Sequence, residues 1–504
     1  MSSLSTSRRW IALSVLCLSL LLSVVDNTIV NVALPTLNSD LGAGTTQLQW
    51  IVDAYTLVFS ALLLTMGHLG DRFGRRRALQ LGLLIFAVTS GLATLSTTSN
   101  QLIGARALMG IGAALIFPAT LAILVNVFTD PKERAAAIGI WSAMVGVAVA
   151  IGPIAGGLLL EHFWWGSIFL VNIPVALISI ALGALLLPES RDPNVGPMDY
   201  AGLVLSAAGV GLVIWAIIEA PTRGWTSPTI LMAFAGSVVL LVAFALVERR
   251  LVHPMLDVLL FKNARFTAAS LSIATAFFAL FGFIFLITQF LQLVQGYTAL
   301  QAGVRTLPFA IATGIMSPVA IALMHRFGSR AIVTLGLLVM AIGFVIAATV
   351  QVDTPYLGRV LISMVIIAAG LGLATSPATE SIMGAVPPDK AGAGAAVNDT
   401  TREFGGTLGV AVVGSVFLTV YAPLAVDGYR SLGLPPEFES IVRESLAGGL
   451  GVAAKLPPDV GAQLVAITKG AFVDGLTRGS LVSAAVVAVG AIIAWKFLPT
   501  GTKS

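Results

Sequence analysis

Charged residues and cysteines are scarce in this chain. Lys, Arg, Asp and Glu make up 10% of its 504 residues, whereas about a quarter of the residues in a soluble protein are charged. The single cysteine, Cys17, excludes an internal disulfide and a cysteine-ligated metal cluster. Four widely separated histidines argue against a metal enzyme. We therefore expect no metal, no cofactor and no catalytic residues, and the net charge of +4 does not require a nucleic-acid partner.

Hydrophobic residues, in contrast, make up 57% of the chain and collect in long runs. A run of about 20 apolar residues can cross a bilayer as a helix, so the sequence predicts an all-α polytopic membrane protein. The first run is too long for a signal peptide, and we expect it to be retained. An even number of spans places both termini on one side. The fourteen predicted spans lie near residues 10–34, 50–68, 78–97, 101–125, 135–160, 167–187, 200–218, 228–247, 265–293, 302–325, 330–350, 356–384, 400–421 and 478–498.

Basic residues indicate which side that is. Cytoplasmic loops are enriched in Lys and Arg, and here the loops on the side of the termini hold most of them. We therefore predict a multi-pass protein of a bacterial cytoplasmic (inner) membrane with both termini in the cytoplasm. Residues 422–477 then form the only long extracellular loop, in which LPPEFESIVRESLAGG is compatible with a short amphipathic helix. The basic residues include Arg8, Arg9, Arg75–Arg77, Lys132, Arg134, Arg249 and Arg250.

The second half of the chain repeats the first. RFGRRRALQLG, which begins at Arg72, aligns with RFGSRAIVTLG, which begins at Arg326. GIGAALIFPAT, from Gly110, resembles GLGLATSPAT, from Gly370. Two related six-span halves are typical of a transporter whose binding site lies between them. We therefore predict an N-terminal six-helix bundle at 1–190, an inserted two-helix hairpin at 198–248 and a C-terminal six-helix bundle at 262–504.

Several motifs make a resemblance specific. They are GHLGDRFGRRRAL between spans 2 and 3, LIGARALMGIGAAL around Arg106, GVAVAIGPIAGGLL in span 5 and VVDNTIVNVALP in span 1. Over its whole length the chain resembles the fourteen-span drug:proton antiporter branch of the major facilitator superfamily. QLQWIVDAYTL, which contains Asp53, is similar to exporters of quaternary ammonium compounds and dyes, of the QacA and LfrA kind. The resemblance implies the major facilitator fold: two pseudo-symmetric six-helix bundles plus two inserted helices.

Asp26, Asp53 and Arg106 are candidates for proton coupling. An ionisable residue inside a span is costly and usually functional, and these three fall at similar depths on three spans. Burial favours a neutral carboxyl group and a nearby guanidinium favours a charged one. An acid–arginine contact that changes between two conformations would therefore bind and release a proton. A drug cation that competes with the proton at Asp26 or Asp53 would give antiport.

Structural alternatives stay open for all three. Asp53 is also compatible with an interfacial residue near the start of its helix. Arg106 is compatible with a side chain that snorkels to the outer surface. A purely structural role is the alternative for Asp26.

Further candidates for substrate binding lie in spans 1, 9 and 13. Asn31 lies near Asp26, and Glu403 lies in span 13, although TTRE also matches a capping box of Thr400 with Glu403. Span 9 carries aromatic residues and glutamines at spacings of three and four, which suits a flat lipophilic cation. The alternative is that this stripe packs in the core or faces lipid. Its members are Phe278, Phe281, Phe285, Gln289 and Gln292.

The loop between spans 2 and 3 is a candidate for conformational control. Its glycines allow close backbone approach, and Asp71 would form a latch across the interface of the two halves that steadies the outward-open state. His325 stands where Asp71 does in the second copy, which predicts an asymmetric latch. Arginines that only set topology are the alternative. The candidate residues are Gly67, Asp71, Arg72, Gly74 and Arg75.

Span 5 is a second candidate for conformational control. Gly152 and Gly156 lie four residues apart, which suits close helix packing. Pro153 removes a backbone hydrogen bond and bends the helix. We therefore expect a pivot for rocking here, with ordinary packing as the alternative.

Together these features predict a proton-coupled multidrug efflux antiporter that works by alternating access. Its substrates would be lipophilic organic cations: quaternary ammonium compounds, dyes and fluoroquinolones. Its partners would be these cationic small molecules, protons and the lipid bilayer, and nothing indicates more than a monomer. An exporter of an endogenous lipid, peptide or siderophore product is the alternative in the same class. A membrane-embedded enzyme would need a catalytic loop, but residues 422–477 hold no histidine or cysteine. A sensor would be expected to carry an added soluble domain.

Overall fold

The computed structural model describes residues 6–191, 198–251, 256, 258–386 and 391–499. Long apolar runs form helices because every backbone polar group must be paired inside a bilayer. Two π-helical turns (Phe290–Val294 and Tyr356–Val360) and two 3-10 turns (Val258–Lys262 and Pro436–Phe438) occur beside the α-helices. Within the described residues there are eighteen α-helices: α1 (Thr6–Leu41), α2 (Thr45–Phe73), α3 (Arg75–Thr94), α4 (Ser99–Val127), α5 (Pro131–His162), α6 (Ser167–Leu170), α7 (Asn172–Leu186), α8 (Tyr200–Arg223), α9 (Pro228–Glu248), α10 (Ala264–Gln289), α11 (Ala299–Arg305), α12 (Leu307–Phe327), α13 (Ser329–Ala347), α14 (Leu361–Met383), α15 (Ala391–Ser431), α16 (Glu439–Glu444), α17 (Leu446–Ala453) and α18 (Pro458–Phe497).

The number of membrane crossings agrees with the prediction. In the described residues, thirteen segments are long and apolar enough to cross a bilayer. Helix α2 makes a fourteenth when its two parts, which meet at 53° between Leu63 and Thr65, count as one span. With fourteen crossings, both ends of the chain would lie on one side. The end of the bundles where α1 begins is here called the terminal side, and the opposite end is called the far side.

The helices form two bundles and a separate hairpin. Helices α1–α7 pack together, as do α10–α15 with α18. The inserted hairpin, α8–α9, lies outside both bundles, with α8 against α2 and α15. The internal repeat is visible at the turns Gly74 and Gly328, which have φ of +119° and +83°. Glycine adopts this conformation at no steric cost, so both copies of RFG end a helix in the same way.

Repeated glycines also occupy equivalent helix crossings. A Cβ added at Gly82 of α3 would lie 2.8 Å from the carbonyl oxygen of Gly112 on α4. A Cβ added at Gly336 of α13 would likewise lie 2.8 Å from the oxygen of Gly370 on α14. Small residues let helix backbones approach this closely in a bilayer. The sequence repeat is therefore also a repeat of helix packing.

Much of the segment 422–477, which the sequence predicts to be one long extracellular loop, is helical, and its location outside the bilayer stays a prediction. Helix α15 runs on to Ser431 and α18 begins at Pro458. Hydropathy marks the part of a helix that crosses the bilayer and not the polar turns beyond it. The remaining connector contains α16 and α17, which meet at Ser445 within the stretch expected to be amphipathic.

Helix α5 packs closely on α1 through the glycines of its motif. A Cβ added at Gly152 would lie 1.9 Å from Oγ1 of Thr28. A Cβ added at Gly156 would lie 2.6 Å from the side chain of Ile29. The close packing expected of this motif is present.

The same stretch of α5 also contacts the other bundle. A Cβ added at Gly157 would lie 2.4 Å from Cα of Leu300 on α11. A Cβ added at Gly303 would lie 2.2 Å from the carbonyl oxygen of Pro153. Helix α5 therefore joins a contact inside its bundle to a contact between bundles, and its role as a pivot stays a prediction.

We expect Gly152→Val to destabilise the protein and Gly146→Val to have little effect. Both glycines lie in α5, so the two substitutions change helix propensity by the same amount. A Cβ at Gly152 collides with α1, whereas nothing lies within 4 Å of a Cβ at Gly146. Overpacking of this kind costs about 1–3 kcal/mol. Thermal unfolding of the detergent-solubilised variants measures the difference, and equal midpoints would contradict the close contact of α1 and α5.

Candidate functional site

Asp26 lies in a buried polar cluster of the N-terminal bundle. Its carboxylate accepts a hydrogen bond from Arg106 on α4 and another, 2.8 Å long, from the amide of Asn172 on α7. Asn172 also donates to Ser90 on α3, at 3.4 Å. Asp26 and Arg106 are fully buried, and a buried carboxylate needs such partners. Four helices meet at this cluster, and the predicted contact of Asp26 with a substrate does not fit this conformation.

Arg106 is held firmly on several sides. Its Nε donates to the carbonyl oxygen of Ile51 at 3.1 Å, and its guanidinium lies 4.4 Å from the centroid of the Tyr55 ring. Its Nη2 is buried and has no hydrogen-bond partner in the described parts of the chain. Because the whole side chain is buried, the snorkelling alternative is wrong.

Asp53 lies on the face of α2 that meets the other bundle. One turn before it, Gln49 donates to the carbonyl oxygen of Ala411 on α15 at 3.0 Å. One turn after it, Thr56 accepts a hydrogen bond from Thr407 at 3.0 Å. Asp53 is fully buried two turns into α2, so the interfacial alternative is wrong. Neither carboxylate oxygen has a hydrogen-bond partner among the described residues, and an ionised group there would be unpaired.

The three predicted coupling residues therefore do not form one cluster. Asp26 and Arg106 face the inside of their bundle, whereas Asp53 faces α15 across the interface. Asn172 is not among the predicted site residues, and its only signal in the sequence is a lone asparagine within an apolar span.

A second acidic pair lies on α15. Asp399 and Glu403 are one helical turn apart and partly exposed. Helix α15 begins at Ala391, so Thr400 and Glu403 lie inside it and the capping-box alternative is wrong. Asp399 accepts a 3.1 Å hydrogen bond from Asn398, while Oε2 of Glu403 is buried without a partner in the described residues. Asp399 is not among the predicted site residues, although the sequence places this acid one helical turn before Glu403.

Tyr55 packs against the Asp26–Arg106 pair. Its ring lies over Arg106, and its hydroxyl donates to the carbonyl oxygen of Ser23 at 3.1 Å. The next residue, Thr56, accepts a hydrogen bond from Thr407, which lies one turn after Glu403 on α15. This turn of α2 therefore contacts the Asp26–Arg106 pair on one side and the helix that carries the second acidic pair on the other. Across the described residues, no group of three His, Cys, Asp or Glu side chains is placed to hold a metal ion.

The aromatic stripe predicted on α10 serves mainly as a packing face. Phe278 and Phe281 are partly exposed, and the Phe281 ring lies against Gly406 of α15. Phe285 is fully buried, and Gln289 is buried with its amide donating to the Phe285 carbonyl at 2.8 Å. Because both side chains are buried, the prediction that Phe285 and Gln289 bind substrate does not fit this conformation. The helical period shows which residues share a face but not which helix that face meets.

The side-chain amides of Gln292 and Asn31 also donate hydrogen bonds to backbone carbonyl groups. The π-helical turn Phe290–Val294 changes the helical register, so Gln292 leaves the stripe and donates to the carbonyl oxygen of Val32 on α1 at 2.9 Å. Asn31 donates to the carbonyl oxygen of Asn27 at 3.2 Å. Gln292 therefore joins the two bundles, which the sequence did not predict.

Arg402 and Phe277 form a contact that sequence analysis also missed. The guanidinium of Arg402 on α15 lies 5.1 Å from the centroid of the Phe277 ring on α10. Arg402 lies three residues after Asp399 and directly before Glu403. The acidic pair thus has a cation and an aromatic ring beside it.

Hydrogen bonds close the interface at the far side. Asn38 on α1 donates to Oγ of Ser445 at 2.8 Å, and Oγ1 of Thr45 donates to the carbonyl oxygen of Glu444 at 2.6 Å. A Cβ added at Gly44 would lie 2.9 Å from Oε2 of Glu444. Together with the Gln49 and Thr56 contacts, these bonds join the bundles along the far-side half of α2.

The predicted latch loop is bound to its own bundle. Asp71 accepts a 2.7 Å hydrogen bond from Nε of Arg75, and the Arg75 N–H donates to the carbonyl oxygen of Ser190 at 2.9 Å. A Cβ added at Gly74 would lie 2.8 Å from Oε1 of Glu189. In this conformation Asp71 pairs with Arg75, and its latch contact with the other bundle stays a prediction.

The other two residues of the loop motif differ in their surroundings. A Cβ added at Gly67 would lie 3.4 Å from Cβ of Pro118, so α2 and α4 are in ordinary contact there. Arg72 is exposed, with its guanidinium 5.7 Å from the Phe73 ring centroid.

Removing the far-side bonds should shift the protein toward a conformation open at that side. Spin labels at Asp40→Cys and Glu437→Cys, both exposed positions, would report the distance between the two bundles at the far side. The remaining thiol, Cys17, is buried and would not be labelled. We expect the double variant Asn38→Ala, Ser445→Ala to show longer distances between the two labels in pulsed electron–electron double resonance.

A matched control for this experiment is Ser431→Ala. The Ser431 hydroxyl donates to the carbonyl oxygen of Gly428 within α15, at 2.7 Å, so its loss leaves the interface intact. A distance distribution unchanged by the Asn38 and Ser445 substitutions would show that these bonds do not hold the far side closed.

Comparison with known proteins gives the same architecture. Residues 16–410 match the model of the Major Facilitator Superfamily. The chain is 39% identical over 487 residues to the multidrug efflux pump LfrA of Mycolicibacterium smegmatis, covering 97% of this chain and 96% of that protein. It is 34% identical over 471 residues to the methyl viologen resistance protein SmvA of Salmonella typhimurium, covering 92% and 93%.

A solved transporter has a similar fold. A bacterial homologue of the human lysosomal transporter Spinster, in an inward-facing and unoccupied conformation, aligns with a TM-score of 0.67 and 19% identity. The alignment covers 99% of this chain and 100% of that one. The likeness concerns the fold alone, and it agrees with the predicted two-bundle architecture.

Proposed function

Because the chain belongs to the Major Facilitator Superfamily, we propose that it is a proton-coupled antiporter that exports lipophilic organic cations by alternating access. The observation that carries this proposal is that two acidic groups lie beside one turn of α2. The buried Asp26–Arg106 pair packs on Tyr55, and the helix that carries the partly exposed Asp399 and Glu403 is hydrogen-bonded to Thr56. Relatives named as a multidrug efflux pump and as a methyl viologen resistance protein support drug export. Methyl viologen is itself an organic cation. Family membership makes the protein a transporter and not an enzyme.

The substrate would bind where α10 and α15 meet, on the terminal side of Thr407. Asp399 and Glu403 lie two turns and one turn before Thr407 on α15 and are partly exposed. Phe278 and Phe281 on α10 lie beside the same helix. A cation is attracted by the carboxylates and by the faces of the rings. The site therefore offers both interactions that a lipophilic cation needs.

The proton would be carried by Asp53 and Asp26. With the far side closed, Asp53 has no donor, so its protonated form is favoured. Opening the far side would separate α2 from α15 and expose Asp53 to water, which allows proton exchange. Protonation of Asp26 would weaken its pair with Arg106, and Tyr55 would transmit that change toward Glu403.

The conformation described here would be the one that loads substrate. Its bundles are joined at the far side by the contacts of Asn38, Thr45, Gln49 and Thr56. The Lys and Arg distribution predicts that the terminal side is cytoplasmic. Substrate would then enter from the cytoplasm, and a proton would enter from outside once the far side opens.

Stoichiometry decides which gradient drives export. Exchange of one proton for one monovalent cation moves no net charge, so only the pH gradient contributes, at about 1.4 kcal/mol per unit. If Asp26 and Asp53 each carry a proton, the membrane potential adds about 2.3 kcal/mol per 100 mV. Transport that does not respond to potential would exclude the two-proton version.

Ethidium uptake into everted vesicles under an imposed pH gradient tests the coupling. We expect Asp26→Asn to abolish gradient-driven uptake and retain ethidium binding, because an amide cannot exchange a proton. Asp53→Asn should lower uptake for the same reason. The control is Asp40→Asn, an exposed acid at the far end of α1, which should transport normally. Full activity of Asp26→Asn would contradict the proposed role of Asp26.

Equilibrium binding of tetraphenylphosphonium to the purified protein tests the substrate site. Glu403→Gln should weaken binding about tenfold, or about 1.4 kcal/mol, because one attractive charge is lost. Glu380→Gln is the control, since Glu380 is exposed near the end of α14. Unchanged affinity in Glu403→Gln would place the cation site elsewhere.

A further inference from the structure

We propose that Arg402 is a built-in competitor of the substrate. While no substrate is bound, its guanidinium occupies the proposed cation site at Asp399 and Glu403 and lies over Phe277, whose ring contacts that of Phe281. The inference rests on the proposed export of cations. It adds a residue of this chain that limits both the affinity for the substrate and the charge that a substrate can carry.

The position of Arg402 is the first argument. Its guanidinium lies 5.1 Å from the centroid of the Phe277 ring, inside the range of about 6 Å for attraction between a cation and a ring face. On α15, Arg402 lies three residues after Asp399, a spacing at which two side chains are neighbours on a helix surface, and it directly precedes Glu403. Arg402 therefore already makes the two kinds of contact that the proposed substrate would make.

The weak attachment of Arg402 is the second argument. Its Nε is buried without a hydrogen-bond partner among the described residues. Arg106, in contrast, donates hydrogen bonds to Asp26 and to the carbonyl oxygen of Ile51. A buried donor that is left without an acceptor destabilises the folded protein. Arg402 is thus held by a ring face and by diffuse attraction, and a ligand with better contacts can displace it.

The chemistry of the guanidinium is the third argument. It is a planar, delocalised and weakly hydrated cation that stacks on aromatic faces. A lipophilic organic cation shares these properties. Arg402 and the substrate are therefore alternatives for one site, and the return of Arg402 to Phe277 would favour release once the far side opens.

Charge competition makes a specific prediction. Repulsion from Arg402 is twice as large for a dication as for a monocation at the same distance. Ethidium and propidium share one ring system, and propidium carries an additional quaternary ammonium group. Removing the charge of Arg402 should therefore improve the binding of propidium more than the binding of ethidium.

Fluorescence titration of purified protein with each dye tests this inference. Arg402→Gln should bind ethidium about tenfold more tightly than the parent, with a gain several times larger for propidium. Arg402→Lys keeps the charge and should stay close to the parent. Arg402→Met keeps the apolar stem and serves as the neutral variant if Arg402→Gln does not fold. The control is Arg359→Gln, since Arg359 is exposed and donates to the carbonyl oxygen of Thr349.

Each outcome has a distinct meaning. Neutral variants that bind with the parent's affinity, or more weakly, would overturn the inference and leave the proposed function standing. An equal gain for both dyes would overturn it as well, because charge would not be the cause. If neither dye binds to the parent or to any variant, the proposed function fails, and the inference fails with it.

Discussion

A charged side chain inside a bilayer needs a partner within the protein, and Asp26 and Arg106 supply each other with one. Removing one member of such a pair leaves an uncompensated charge, which costs about 3–5 kcal/mol. The pair therefore fixes how α1 and α4 pack. Asn172 extends the cluster to α7, and Tyr55 brings α2 against the guanidinium. Four helices of one bundle thus meet at a single ion pair.

The interface between the bundles, in contrast, contains weaker polar contacts than the ion pair within the bundle. It relies on glycine contacts such as Gly157 against Leu300, and on isolated hydrogen bonds such as those of Asn38 and Gln49. Each hydrogen bond contributes about 1 kcal/mol net. Breaking a few such bonds therefore costs an amount of free energy that the binding of a ligand can offset, which is the condition for a population shift. Rigid bundles with a weak interface are what a rocking transporter requires.

Sequence patterns predicted the positions of the apolar helices along the chain well and the direction that each side chain faces around its helix poorly. Hydropathy located the spans, and the repeat located the equivalent turns at Gly74 and Gly328. Asp26 and Asp53 were placed at similar depths, but only the structure shows that one faces its own bundle and the other faces α15. For the same reason the burial of Phe285 was not predicted, because its position in a periodic stripe does not show which helix it packs against. Helix ends were missed where polar turns continue past the apolar run, as in α15.

The inserted hairpin gives the two lateral surfaces of the transporter different access to lipid. Ile217 and Ile218 of α8 are buried with Ala411 of α15, and Ser415 donates to the carbonyl oxygen of Ile217 at 2.8 Å. Helix α8 thereby covers the seam between α2 and α15. In the described part of the chain, the opposite seam is formed by α5 and α11 with no such cover. A lipophilic molecule that approaches from within the membrane therefore meets one seam that is covered by an additional helix and one that is not.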